Sequence, residues 1–110
     1  MIISKDLTAA SATPLALAII AREESYGYAI IKQVKELSSG ELDWTEGMLY
    51  PVLHRLEDSG LVESFWSGEG QRKRKYYRAT TAGREALQTM RDQWRTVSEV
   101  LEAGWNEKKE

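Results

Sequence analysis

The chain has no cysteine, one histidine, two prolines and one phenylalanine. Without cysteine, neither a disulfide framework nor a thiolate zinc site can form. The single histidine, His54, leaves no material for a Ser-His-Asp triad or a multi-histidine metal centre. No run approaches the roughly 18 apolar residues a transmembrane helix needs. The start, Met1 to Leu7, lacks the basic opening and long apolar stretch of a signal peptide. Gly68-Glu69-Gly70 is followed by basic residues rather than a helix pattern, so it is no phosphate-cradling loop. These absences predict a cytoplasmic protein that is not an enzyme, holds no metal or cofactor and does not enter a membrane.

With 110 residues, 42% of them hydrophobic and 29% charged, the chain can bury one core and stay soluble. Its net charge of −2 is unevenly spread. Residues 1–68 carry five basic and ten acidic side chains, and residues 85–110 carry four and six. Residues 69–84 hold Arg72, Lys73, Arg74, Lys75, Arg78 and Arg84 against one acid, Glu69. A protein that is acidic overall but concentrates its cations in one segment can still attract phosphates there. The plainer alternative is a solvated hairpin tip.

What precedes that cluster decides between the two. In residues 47–62, Leu49, Val52, Leu53 and Leu56 recur at helical spacing and form one apolar stripe. Tyr50, Pro51, His54, Arg55 and Asp58 lie off the stripe. Thr45 is the expected cap, Glu46 sits in the first turn where the helix dipole favours an acid, and Gly60 ends the helix. Pro51 lies inside it, and Gly47 is placed to relieve the crowding. Strands are expected over Leu61–Ser67 and Lys75–Ala79, with the turn at Gly68–Gln71. Tyr76 and Tyr77 must then face opposite ways. A packed helix with a polar outer face, followed by a basic hairpin, is how a winged helix-turn-helix holds DNA.

Upstream, Thr13 and Pro14 predict a helix start, with a buried run to Ala21. Ser25 is expected to cap a second helix, Tyr26 to about Leu37, with Tyr28, Ile31, Val34 and Lys35 on its core side. Leu42–Trp44 is a candidate edge strand. Thr80 caps a long last helix reaching Glu107, with Gly83 a weak spot near its start. In that helix Leu87, Met90, Trp94, Val97 and Leu101 alternate spacings of three and four, a seam of the coiled-coil kind. A helix of about 40 Å outreaches a small winged unit. Its distal apolar residues need a partner, and the same helix from a second chain is the simplest one; the alternative is that the helix folds back on its own domain.

Together these pieces resemble the PadR family of bacterial transcriptional regulators. The resemblance is carried by Gly27-Tyr28, by Leu49-Tyr50-Pro51 with Leu53, Arg55-Leu56-Glu57 and Gly60-Leu61, and by Arg74-Lys75-Tyr76-Tyr77 with Thr80 and Gly83. It spans about residues 5 to 103. Two departures stand out: Met48 replaces a frequent small hydroxyl residue, and Ala79 a frequent leucine. The short tail is similar to the family's small members, which have a single C-terminal helix.

The resemblance implies an α+β, mainly α fold: a winged helix-turn-helix DNA-binding domain over 1–80 and a C-terminal dimerisation helix over 81–110. It implies a ligand-responsive repressor that binds a pseudo-palindromic operator in double-stranded DNA as a homodimer. The expected DNA face comprises Thr45, Gly47, Met48, Tyr50, Pro51, His54, Arg55, Arg72, Lys73, Arg74 and Lys75. Arg55 and Glu57 are equally open to pairing within the fold, and His54 to facing water. Leu87, Met90, Trp94, Val97 and Leu101 are the expected dimer contacts. Trp94, with Trp105 second, is the candidate site for a planar aromatic effector, against plain packing in the dimer core. The rival reading is a winged-helix protein-interaction module without specific DNA binding. The basic cluster argues against it.

Overall fold

The first helix begins at Ser4, well before Thr13, in the computed structural model of the chain, which describes residues 1–106. Ser4 Oγ accepts a hydrogen bond from the Leu7 amide, and Asp6 lies in the first turn. Helix α1 therefore runs Lys5–Arg22 and carries Pro14 in its interior. An interior proline removes one backbone hydrogen bond and costs about 3 kcal/mol relative to alanine. Two features offset this: an alanine-rich N-terminal half, and burial of Ala12, Ala16, Leu17, Ile19 and Ile20. The Thr13-Pro14 signal is a local one, and it is overridden by a stronger cap nine residues upstream.

Next come β1 (Ser25–Tyr26), α2 (Gly27–Leu37), α3 (Glu46–Asp58), β2 (Val62–Ser67), a 3₁₀ turn at Gly70–Arg72, β3 (Arg74–Ala79) and α4 (Thr81–Trp105). The sheet is antiparallel with β3 central, in the order β1-β3-β2. Its third strand is thus Ser25–Tyr26, which pairs with Tyr77 and Tyr76, and not Leu42–Trp44. Ser25 enters the ladder instead of capping α2. Two residues are too few to show alternation, so only the fold reveals this strand. Leu42 and Trp44 plug the core from an irregular segment, with Ser38 Oγ accepting the Leu42 amide.

The core side of α2 is rotated by one residue from the expected face. Gly27, Ile30 and Val34 are buried with Ile31 half-buried, whereas Tyr28 and Lys35 face out. In α3 the stripe Leu49, Val52, Leu53 and Leu56 is buried as its spacing predicts. Thr45 Oγ1 accepts from the Met48 amide. The helix ends in a Schellman turn: Leu61 N–H reaches the Leu56 carbonyl, Gly60 N–H reaches that of Glu57, and Gly60 sits at φ +74°. Tyr77 is buried, while Tyr76 is wedged between Tyr26 and Phe65, with ring centres 5.2 and 5.8 Å away.

Thr80 caps α4, its hydroxyl accepting from the Gly83 amide. Gly83 is no weak spot. It is buried against the Leu61 carbonyl, and only a residue without Cβ fits there. Arg84 donates to the Ala21 carbonyl and so closes the C-terminal end of α1 against α4. Leu87 and Met90 pack on the core, but from Arg91 onward α4 is exposed on every face. At about 1.5 Å per residue the helix is some 38 Å long, and the molecule extends 67 Å along its greatest axis. The helix stops at Trp105, with Asn106 in extended backbone, short of the expected Glu107, which itself lies outside the described residues. Among the described residues no helix is long and apolar enough to cross a membrane.

Candidate nucleic-acid interface

The outer face of α3 and the basic wing meet at one cleft. The apolar stripe of α3 faces the core, which forces Tyr50, Pro51, His54 and Arg55 outward, all four exposed. The wing is β2, β3 and the loop between them. Its register pairs Ser67 with Arg74, so residues 68–73 form the tip. Gly68, at φ +97°, lets the loop turn back tightly: a Cβ there would lie 2.4 Å from the Arg72 carbonyl oxygen. The wing thereby projects Arg72, Lys73, Arg74 and Lys75, each exposed, beside the N-terminal half of α3.

The cleft between them measures about 420 Å³ and is lined by residues of β1, α2, α3 and both wing strands. Tyr50 reaches across it to α2. A Cβ on Gly27 would stand 2.8 Å from the Tyr50 hydroxyl oxygen, so the ring rests directly on the glycine. Three wing cations are steadied by aromatic faces: Lys73 lies 5.7 Å from the Trp66 ring centre, Arg74 5.2 Å from Tyr26 and Lys75 5.8 Å from Tyr77. Arg72 belongs to none of these pairs.

Glu57 turns inward rather than toward the outer face. Its carboxylate accepts from Ser64 Oγ and lies 3.9 Å from Lys75 Nζ, tying the end of α3 to the wing. Lys75 is therefore shared between the fold and the open face. Burial, with the Glu57 carboxylate as a second cause, pushes the Tyr77 phenol above its ordinary value. Arg78, at the base of the wing, is held by Glu63 at 2.6 Å, its cross-strand partner, and lies 3.9 Å from Glu24.

The other sequence-predicted positions divide similarly. Thr45 and Gly47 are exposed at the start of α3, with the Thr45 hydroxyl engaged as the cap. Met48 is half-buried against the core, which leaves it little outward reach. His54 lies 3.4 Å from Asp58, one turn along the same helix. Reading the sequence missed Tyr28 and Trp66, which are 65% and 62% exposed and line the cleft with Tyr50. Tyr28 was hidden by the one-residue rotation of α2. Trp66 gave no signal beyond its place near the end of an expected strand. Among the described residues no group of three or more His, Asp or Glu side chains is placed to hold a metal ion.

The seam on α4 is likewise split. Leu87 and Met90 belong to the chain's own core, whereas Trp94, Val97 and Leu101 are exposed. Trp94 lines a dent of about 100 Å³ with Gln93 and Val97, and a broader, shallow depression of about 490 Å³ adjoins it along Asp92, Gln93, Thr96 and Val97. Trp105 is 63% exposed near the end of the helix.

Residues 16–89 match the PadR-like family of transcriptional regulators. A transcriptional regulator of Mycobacterium tuberculosis, Rv3488, is 49% identical over 53 residues, spanning 48% of this chain and 50% of that one. Among solved structures, a PadR family transcriptional regulator from Eggerthella lenta superposes with a TM-score of 0.83 at 30% identity, covering 94% of this chain and 88% of that one. A transcriptional regulator from Clostridium thermocellum gives a TM-score of 0.87 at 25% identity, over 96% and 100% of the two chains. The fold is thus shared with these regulators, and this chain belongs to the PadR-like family of transcriptional regulators.

Proposed function

We propose that the protein is a homodimeric repressor that grips a pseudo-palindromic operator through α3 and the wing and responds to a small-molecule effector. The observation that carries the DNA-binding part is the shared cleft, where the outward face of α3 and the wing cations Lys73, Arg74 and Lys75 meet. Helix α3 has the dimensions to enter a major groove, and the wing is placed to take the adjoining backbone. Phosphate contacts from Arg72 and its neighbours supply affinity, and Tyr50, Pro51 and Arg55 supply base readout. The acidic remainder of the chain limits indiscriminate binding.

Dimerisation is supported by the half of α4 that carries apolar side chains with nothing against them. Trp94, Val97, Val100, Leu101 and Trp105 are all exposed in the single chain. Leu87 and Met90, already packed on the core, set the point from which a second copy takes over the seam. The effector reading depends on that second copy. The dent beside Trp94 is well below the roughly 300 Å³ at which ligand pockets begin. Two Trp94 rings facing across a twofold would flank a slot that one chain lacks.

The test is binding to DNA from the protein's own promoter region across a salt series. The reading expects a log–log slope of about −0.9 per neutralised phosphate. Replacing Arg72 and Arg74 together should weaken operator and random DNA alike, because phosphate contacts carry little sequence information. Replacing Tyr50 or Thr45 should instead narrow the gap between the two. Salt-indifferent binding, or full affinity in the wing double variant, would favour a winged module that recognises protein. For the effector, phenylalanine at Trp44, Trp66 and Trp105 leaves Trp94 as the reporter. Planar aromatic compounds should quench it saturably, and Trp94→Ala should abolish their binding, read by titration calorimetry, while keeping the dimer.

A further inference from the structure

The cleft between α2, α3 and the wing is more specialised than a basic hairpin requires. Its walls are aromatic (Tyr26, Tyr28, Tyr50 and Trp66), and Lys73 and Arg74 stand among them. Tyr28 and Trp66 are largely exposed, although they are large rings that an ordinary surface has little reason to present. Each of the two cations lies over a ring: Lys73 over Trp66 and Arg74 over Tyr26. Such stacking holds a long side chain in place and reduces the entropy lost when it binds. The Tyr50 hydroxyl is brought to the α2 side of the cleft by its seat on Gly27. The Tyr28 phenol and two steadied cations therefore stand around one open cavity.

We infer that this cleft seats a single DNA backbone phosphate, with the Tyr28 hydroxyl and the Lys73 ammonium as its donors and with Trp66 as the residue that positions Lys73. The inference rests on the DNA-binding reading above and assigns roles to Tyr28 and Trp66 that the sequence did not. Phenol and ammonium donors suit a phosphodiester oxygen, and neither discriminates among bases from this position. Lys75 contributes charge from the far wall but is shared with Glu57. Glu46, in the first turn of α3, also lines the cleft and is its one acid. Its carboxylate repels a phosphate seated there, so the seat is tuned below its greatest possible affinity. A repressor that must release its operator gains from such a restraint.

The test uses the full chain and a mixed-sequence DNA duplex of about 30 base pairs, titrated across a salt series. Tyr28→Phe keeps the ring and removes one charge-assisted donor, so it should weaken binding about tenfold with an unchanged salt slope. Lys73→Gln should weaken binding and lower the slope by about 0.9, the loss of one neutralised phosphate. Trp66→Leu should cost about threefold, and only while Lys73 is present, because it acts through that side chain. Glu46→Gln should strengthen binding. If Tyr28→Phe and Trp66→Leu bind as the parent does while the Arg72/Arg74 double variant loses affinity, the phosphate seat is wrong and the DNA reading stands. If the parent chain itself shows no salt-dependent binding, the DNA reading fails. Circular dichroism melting of each variant separates lost contacts from lost folding.

Discussion

Gly83 and Leu61 touch backbone to backbone: a Cβ on Gly83 would lie 1.9 Å from the Leu61 carbonyl oxygen. That oxygen also accepts the Thr80 amide, and the Thr80 hydroxyl donates to the carbonyl of Gly60 while accepting the Gly83 amide. One joint thus fastens the end of α3, the end of the wing and the start of α4. The long helix leaves the domain in a direction set where α3 stops.

Gly83→Ala should therefore be severely destabilising, even though alanine is the better helix former. No flexible side chain can move aside, because the obstacle is a carbonyl. We expect a loss of about 3 kcal/mol in urea unfolding, at the upper end of what overpacked cores cost. Thr80→Ala, which removes the cap of α4 and a hydrogen bond to the Gly60 carbonyl, should cost about 1–2 kcal/mol. Equal stability of the alanine variant and the parent would mean that α4 approaches α3 less closely than described.

Gly27 poses a different case. The atom a Cβ would meet is the tip of the Tyr50 side chain, which can swing away. Gly27→Ala should leave the unfolding midpoint within about 1 kcal/mol of the parent, since the gain in helix propensity offsets the contact. It should nonetheless displace Tyr50 and reduce the preference for operator over random DNA. Paired denaturation and binding curves check both halves. A variant that unfolds early but keeps its selectivity would show that Gly27 serves packing alone.

Tyr77 gives a pH dependence with a definite sign. Its phenol is raised above 10.0 by burial and by Glu57, so the folded state holds that proton when the unfolded state has begun to lose it. The contribution to stability is complete below about pH 10 and is lost as pH rises from there through the folded value. Unfolding free energy measured between pH 8 and pH 12, in steps of about half a unit, should fall along this limb. Tyr77→Phe should make the fall shallower. An unchanged limb in that variant would assign the alkaline loss to other groups.

What was legible in the sequence is what a local rule controls. The stripe of α3, its Thr45 cap, the Gly60 stop, the two long wing strands and the Thr80 cap are each written within a few neighbouring residues. The resemblance in residues 49–61 joined them into a family. The misreadings have a common origin in tertiary context. Strand β1 exists only because β3 lies beside Ser25 and Tyr26. Helix α1 continues through Pro14 because its far side is buried. The α2 stripe can be read as 28, 31, 34 and 35 or as 27, 30, 31 and 34, and the choice turns on Gly27 meeting Tyr50. The cleft itself joins residues up to 49 positions apart, from Tyr26 to Lys75, and no spacing rule reaches that far.

The central claim is that two copies of this chain present their α3–wing units to one stretch of DNA. Hydroxyl-radical footprinting of the protein on its own promoter region, with light scattering of the free protein, tests it most directly. The account predicts a particle of about twice 12.5 kDa and two protected patches on one face of the duplex, separated by about one helical turn of 10–10.5 base pairs or a multiple of it. A single patch bound by a monomer, or no protection at any salt, would contradict it.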